Sequence, residues 1–246
     1  LVTILFALLA GLNFATHYLA LMRRSFRPYR RDPELPFYFV VLLFSILMLT
    51  FYLLWWQPER SLLSALRSVA FHVVSISTSL GLVIEDYSLW PMFAQIWMLF
   101  LGSFVACSGS TGGGMKMMRA MILYKQVMRE IVLSLHPHAV KPVRMGKQPV
   151  ANTILHAVLG FSFMYMVSIV SLTLVLVASG LEIVTAFSAV IACLNNTGPG
   201  LEAVGPTSNY QALLPFHKWV LAFTMILGRL EIFTLLVVLT PAFWRR

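Results

Sequence analysis

The sequence predicts an all-α membrane protein made of repeated units around an axis along the membrane normal. Each unit has a helix, a short loop that dips into the membrane and a second helix. Three observations predict this class: a strongly apolar composition, basic residues confined to linkers between apolar runs, and two polar, glycine-bearing strings at residues 77–82 and 195–200. Non-helical backbone at membrane depth is tolerated only where protein or water surrounds it, so each string marks a buried interior.

The composition excludes an ordinary soluble domain. The 246 residues are 59% hydrophobic and 11% charged, with a mean hydropathy of +0.82, and a soluble domain of this size does not bury so large an apolar share. Fourteen of the 18 basic residues lie in three segments beside apolar runs, which are Arg23–Arg31, Lys116–Lys147 and Arg245–Arg246. This positive-inside pattern favours anionic membrane lipid, and no nucleic acid, as the partner of the net charge.

The long apolar runs give the helices in chain order. A bilayer is crossed by about 20 apolar residues, and six runs are expected to form helices, at Leu1 to about Leu21, Pro36–Trp56, Pro91–Ala106, Met115–Leu135, Ala151–Ser179 and Phe216–Trp244. Two shorter runs, Ser61–Ile76 and Ile183–Leu194, are too brief to cross and are interpreted as half-helices. The basic, proline-bearing linkers Arg23–Glu34 and His136–Pro149 are expected in the cytoplasm.

An internal repeat relates the two halves of the chain. A shift of 117 residues lays Gly81 on Gly198, and a proline followed by a tryptophan opens the descending helix in both copies. Each copy starts and ends on the inner side, so the repeat is parallel and its axis lies along the membrane normal. A lone glycine after a helix is usually a cap, but glycines at matched positions of a repeat favour a shared function.

A second glycine-rich segment interrupts the helix that follows the first string. It comprises Ser108, Gly109, Ser110, Thr111, Gly112, Gly113 and Gly114, with four glycines among its last six residues. Such a segment cannot continue a stable helix. It resembles a phosphate-binding loop but lacks the terminal lysine–hydroxyl pair. A kinked helix and a flexible loop able to take two shapes both fit the pattern, and the flexible loop is favoured because gating requires it.

Two charges and two thiols fall within or beside apolar helices. Arg229 lies near the middle of the last expected helix, where a charge is costly and faces protein or water; Glu231, two residues away, lies on another face. Lys116 is expected to extend to the inner surface. Cys107 and Cys193 have apolar neighbours and are interpreted as small core residues, without a disulfide, a metal site or another cofactor.

Several strings together resemble the Trk/Ktr family of potassium uptake proteins, specifically the carboxy-terminal half of its membrane subunit. They are residues 24–29 (RSFRPY), 86–91 (DYSLWP), 110–116 (STGGGMK), 136–137 (HP), 142–144 (PVR), 194–200 (LNNTGPG) and 228–233 (GRLEIF). The resemblance implies four K⁺-channel-like helix–pore loop–helix units around one pore. Residues 1–35 would hold the last helix of a preceding unit and a linker, 36–150 the third unit, and 151–246 the fourth.

The resemblance also implies the site. The selectivity filter would bind K⁺ at two sets of residues, which are Thr78, Ser79, Leu80 and Gly81 in the third unit and Asn195, Asn196, Thr197 and Gly198 in the fourth. Leu80 replaces a residue that is often threonine in the family. The two asparagine amides are expected to brace the loop. Segment 108–114 would be a gating loop under the filter, with Arg229 as an electrostatic barrier in the pore.

The implied function is potassium uptake across the bacterial inner membrane, with H⁺ or Na⁺ coupling left open. The implied partners are the amino-terminal half of the same subunit, a second copy of that subunit and a nucleotide-binding regulatory subunit of the TrkA type. The alternatives are an intramembrane enzyme and a non-conducting scaffold. An enzyme would need paired membrane carboxylates, a zinc-binding histidine pair or a serine–histidine pair; the sequence shows none, so no enzyme is expected.

Overall fold

The computed structural model describes residues 2–146, 148–230 and 244, and most of this part of the chain is helical. Ten α-helices follow in order: α1 Val2–Ala10, α2 Phe14–Met22, α3 Arg27–Arg31, α4 Glu34–Trp56, α5 Leu62–Ser77, α6 Met92–Phe104, α7 Met117–Leu135, α8 Asn152–Ala178, α9 Ile183–Leu194 and α10 Pro215–Arg229. The strands that the described residues contain are β1 Arg144–Met145 and β2 Gln148–Pro149, an antiparallel pair in the second basic linker. The all-α class predicted from composition is confirmed.

Within the described residues, two helices are long and apolar enough to cross a bilayer by themselves. They are α4, with 23 residues, and α8, with 27 residues. At about 1.5 Å per residue, both exceed the roughly 30 Å hydrocarbon core. Each lies within a residue or two of its expected position, because a long uncharged run leaves the backbone no alternative to internal hydrogen bonding in lipid.

The first apolar run is not one continuous helix. It divides into α1 and α2, which are bent by 97° at a short break. Asn13 caps α2, since its side chain accepts a hydrogen bond from the Ala15 amide. Gly11 lies at the break because a Cβ there would come within 2.5 Å of the Tyr38 hydroxyl. The bend therefore comes from a local cap and from packing against α4, which hydropathy does not register.

The two half-helices form the centre of the molecule. Helix α5 packs between α4 and α6, and α9 packs against α6, α8 and α10. Small side chains make this close packing possible: Ala65 on α5, and Ala186 and Ala189 on α9, are fully buried. Both half-helices become buried on all sides toward their carboxyl ends. The turns that follow them therefore begin in the protein interior.

The last expected helix is described only in part. Helix α10 covers Pro215–Arg229, and residues 231–243, which include Glu231, lie outside the described residues. Gly228 brings α10 against α9, because a Cβ at this position would overlap the Leu194 carbonyl oxygen. The described part of α10 thus ends beside the turn that follows α9.

Candidate functional site

The turns after α5 and α9 have the same hydrogen-bonded backbone. In the first, the Leu80 amide donates to the Ser75 carbonyl at 2.8 Å; in the second, the Thr197 amide donates to the Ala192 carbonyl at 2.9 Å. The preceding amides bond three residues back in both turns, which completes the Schellman arrangement that ends many helices. The internal repeat thus extends to individual hydrogen bonds.

Both turns also enter the left-handed region at matched positions. Ser79 has a φ of 57° and Asn196 a φ of 54°, while Gly81 has 72° and Gly198 has 102°. Positive φ is costly for residues with a Cβ, less so for asparagine, and free for glycine. The glycines on which the repeat was recognised are therefore conformationally required.

The two turns are in direct contact. A Cβ at Gly81 would overlap the carbonyl oxygen of Thr197 and come within 3.4 Å of Pro199. Gly198 has nothing within 4 Å of the position of a Cβ, so it faces open space while Gly81 faces the partner turn. Two loops 117 residues apart in sequence thus form one continuous backbone surface.

The side chains of the second turn hold it in place. Asn195 accepts a hydrogen bond from the Tyr165 hydroxyl at 2.8 Å and donates to the Ser103 hydroxyl at 3.1 Å. Asn196 donates to the Met225 carbonyl at 3.3 Å. Both amides are thus engaged with neighbouring helices, in the geometry of a brace.

The two turns differ in their side chains, because the first has an exposed leucine at the position where the second has a buried threonine. Leu80 is 42% exposed, whereas Thr197 at the matched position is buried. Thr78 is also buried, and its hydroxyl donates to the Val74 carbonyl at 2.7 Å. The hydroxyl groups of Thr78 and Thr197 are therefore not on an open surface in this part of the chain.

The glycine-rich segment between α6 and α7 lies directly beneath both turns. The Met115 amide donates to the Ser103 carbonyl at 2.7 Å, folding the segment back onto α6. A Cβ at Gly113 would overlap the backbone of Asn195, and one at Gly114 would come within 2.9 Å of the Asn195 side chain. Only glycine allows this approach, so the segment is a compact loop and the kinked-helix alternative does not describe it.

Comparison with known proteins places this arrangement in a family. The family model described as "TrkH: Cation transport protein" matches residues 1–246. The chain belongs to the TrkH family. A crystal structure of the potassium transporter TrkH from Vibrio parahaemolyticus superposes with a TM-score of 0.92 at 37% identity, covering 99% of this chain and 52% of that one. The resemblance seen in the sequence motifs is confirmed, and the matching family is described as one of cation transport proteins.

Comparison with curated relatives supports the same family assignment. The potassium uptake protein TrkH of Halomonas elongata is 41% identical over 242 residues, covering 98% of this chain and 49% of the relative. The TrkH of Salmonella typhimurium is 38% identical over 241 residues, covering 98% and 50%. The chain spans about half the length of the curated relatives it matches. Together with the apolar helices, these matches make it a multi-pass membrane protein.

Three contacts that the sequence did not predict hold the start of the glycine loop in this TrkH-family chain. The buried Glu34 carboxylate accepts a hydrogen bond from the Ser108 amide at 2.7 Å. The Cys107 amide donates to the Gly11 carbonyl at 3.0 Å, and the Phe14 amide donates to the Gly109 carbonyl at 3.2 Å. The bend between α1 and α2 is thus a docking point for the loop. The sequence signal for these contacts was an acidic residue, Glu34, at the start of a long apolar run.

Two cations bind carbonyl groups of the glycine loop. The Arg229 guanidinium donates to the Thr111 carbonyl at 3.0 Å. The Lys116 ammonium donates to the Ser110 carbonyl at 3.2 Å and also to the Gly112 carbonyl. Lys116 therefore turns back onto the loop, and the expectation that it extends to the inner surface is wrong. Carbonyl groups that no helix satisfies attract the ammonium more strongly than the distant interface does.

Tyr210, in the segment between α9 and α10, holds Gly198. Its hydroxyl donates to the Gly198 carbonyl at 2.6 Å and lies 3.9 Å from the Cys193 sulfur. The Tyr87 hydroxyl similarly donates to the Gly200 carbonyl at 3.2 Å. Both tyrosines lie in 3₁₀ turns of the loops that follow the two turns, and loop sequence alone gave no indication that they would reach the second turn.

Proposed function

We propose that this chain supplies two adjacent pore units of a potassium uptake subunit, residues 36–150 as the third and 151–246 as the fourth, preceded by the end of another unit in 1–35. The observation that supports it best is the direct contact between two turns of identical backbone, Gly81 against Thr197. Repetition at this level is what a ring of equivalent ion-binding loops requires, and a scaffold protein would have no need of it.

The turns would act by replacing the water around K⁺. A cation enters a narrow filter when carbonyl oxygens substitute for its hydration shell and bind it weakly enough to release it. Residues 78–81 and 195–198 would give half of that ring, and the carboxyl ends of α5 and α9 would add partial negative charge beside it. Bracing of Asn195 and Asn196 keeps the ring at a fixed size.

The glycine loop would close the pore beneath this filter. Residues 108–114 contact the underside of the Asn195 turn, and Arg229 brings a positive charge to the loop at Thr111. A cation leaving the filter would meet both a steric and an electrostatic obstacle. Movement of the loop would remove the steric obstacle and displace the positive charge of Arg229.

The whole assembly would lie in the bacterial inner membrane. It would need the amino-terminal half of the same subunit to complete the ring. The relatives are described as proteins of a Trk system. A second copy of the subunit and a nucleotide-binding regulatory subunit are the partners that the family resemblance implies. The basic segment Arg23–Arg31 would contact anionic lipid on the inner face. K⁺ is cargo in this proposal, with or without coupled Na⁺ or H⁺.

Flux of Rb⁺ into liposomes that contain the whole subunit tests the filter. Gly198→Val and Gly81→Val should each abolish flux, the first by distorting the backbone and the second by also colliding with Thr197. Gly180→Val is the matched control, because Gly180 has a φ of 93° and open space around it but lies away from the turns. Flux that persists in both filter variants would refute the assignment.

A further inference from the structure

One hydroxyl group joins all three parts of the candidate site. The Ser79 hydroxyl, on the third-unit turn, donates to the Asn195 carbonyl of the fourth-unit turn at 3.1 Å. The same oxygen accepts a hydrogen bond from the Gly113 amide of the glycine loop at 3.1 Å. Both distances are normal for hydrogen bonds of this kind. Ser79 is thus hydrogen-bonded to the loop and to the neighbouring turn at once.

The repeat matches position 79 with position 196, and of these two residues Ser79 is the one that bonds the glycine loop. Asn196 has the same left-handed backbone, but its side chain donates to Met225 on α10, away from the glycine loop. Serine is also a poor choice for positive φ compared with glycine or asparagine. A hydroxyl at position 79 therefore carries a conformational cost that its two hydrogen bonds offset.

The loop cannot move away without breaking the bond between the Gly113 amide and the Ser79 hydroxyl. A Cβ on Gly112 would lie 3.5 Å from the Thr78 carbonyl and 3.6 Å from the Ser79 hydroxyl, so the loop backbone is in close contact with the turn. Withdrawal would leave the Gly113 amide without its partner, while the Ser79 hydroxyl would keep only its bond to the Asn195 carbonyl. An amide that loses its partner in a buried place raises the free energy of the moved state unless water reaches it.

We propose that the Ser79 hydroxyl is a latch that holds the glycine loop closed against the filter. It is a positioning residue, acting through the loop, and the inference rests on the proposed function. Because the same oxygen also bonds the Asn195 carbonyl, loop position and filter shape are coupled in both directions: whatever stabilises one arrangement of the filter stabilises the corresponding position of the loop.

The test uses the whole subunit in liposomes, without a regulatory subunit, and measures Rb⁺ flux and amide hydrogen exchange. Ser79→Ala and Ser79→Gly both remove the hydroxyl, and the glycine variant fits the backbone, so it remains informative if the alanine variant fails to fold. Loss of one such hydrogen bond shifts an equilibrium by about 2- to 10-fold. Both variants should increase flux by that factor and speed exchange in peptides covering 109–115.

The matched control is Asn196→Ala, which removes the side-chain bond of the equivalent position without touching the loop. It should leave exchange in 109–115 unchanged. A purely structural effect of the Ser79 variants would speed exchange along α5 and α9 as well, and that pattern would overturn the latch. If the wild-type subunit conducts and both Ser79 variants show wild-type flux and wild-type exchange, the latch is overturned and the proposed function stands. If the wild-type subunit does not conduct, the proposed function is overturned.

Discussion

At the scale of single residues, Tyr210 shows how a loop between helices can shape the turn after α9. Its hydroxyl donates to the Gly198 carbonyl at 2.6 Å, which fixes the direction of that carbonyl. Tyr210→Phe removes a bond with a net contribution of about 0.5–1.5 kcal/mol. We expect the ratio of Rb⁺ to Na⁺ flux in the whole subunit to fall by up to about 10-fold.

The control for that experiment is Tyr124→Phe, because Tyr124 is exposed on α7, away from both turns. It should leave the flux ratio unchanged. An unaltered ratio in Tyr210→Phe would mean that the Gly198 carbonyl keeps its orientation without the tyrosine.

The ion pair between Arg60 and Glu85 predicts a pH dependence of stability. Its charged atoms are 2.6 Å apart, and the side chains are 21% and 31% exposed. Burial raises the pKa of Glu85, but hydrogen bonding and attraction by Arg60 outweigh it and leave that pKa below its usual value. The stabilisation is therefore present above the carboxyl's ordinary pKa and is lost as the pH falls through the lowered one.

Glu85→Gln should accordingly lower the Tm of the whole subunit in detergent at pH 7. A partly exposed pair is worth about 0.2–1 kcal/mol, a shift of at most a few degrees. The difference from wild type should shrink as the pH falls below 4.5, the ordinary carboxyl pKa. A constant difference across this pH range would show that packing, and not charge, stabilises Glu85.

At the scale of elements, the close approach of α10 to α9 depends on Gly228. A Cβ there would overlap the Leu194 carbonyl at the end of α9, and overpacking of this kind costs about 1–3 kcal/mol. Gly228→Ala should lower the Tm and weaken the Asn196 contact with Met225. An unchanged Tm in Gly228→Ala would contradict the packing argument.

Element positions were predictable where one physical rule dominates. Helices α4 and α8 follow from long uncharged runs, and the two half-helices follow from short ones that end in glycine-bearing strings. The repeat of Gly81 and Gly198 was visible because positive φ at both sites leaves few residue choices. The asparagine contacts were expected as bracing, and the geometry of Asn195 and Asn196 has that form.

What escaped prediction are contacts between distant segments. The 97° bend after α1 depends partly on contacts of Gly11 with Tyr38 and of Phe14 with Gly109. Burial of Glu34 depends on the Ser108 amide, and the turn of Lys116 depends on carbonyl groups that a local pattern does not reveal. Periodicity reports which face of a helix is apolar, and it carries no information about which polar groups on different helices will meet.

At the scale of the whole molecule, the proposed ring of pore loops is incomplete in this chain. Gly198 has open space around the position of a Cβ, and two large apolar side chains that follow Gly81, Leu82 and Ile84, are half exposed. In a membrane protein of about twice this length, a facing pair of units would cover such a surface. The relatives, of which this chain matches about 50%, are long enough to supply it.

On the proposed function, residues 1–246 alone should therefore not conduct. Two units give half of the oxygen ligands that replace the hydration shell of K⁺, and an ion that loses water without full compensation faces a prohibitive barrier. Liposomes that contain this chain alone should take up Rb⁺ no faster than empty ones, while the whole subunit should take it up. Selective uptake by the chain alone, abolished by Gly198→Val, would show that two units suffice and that the open face is closed by self-association.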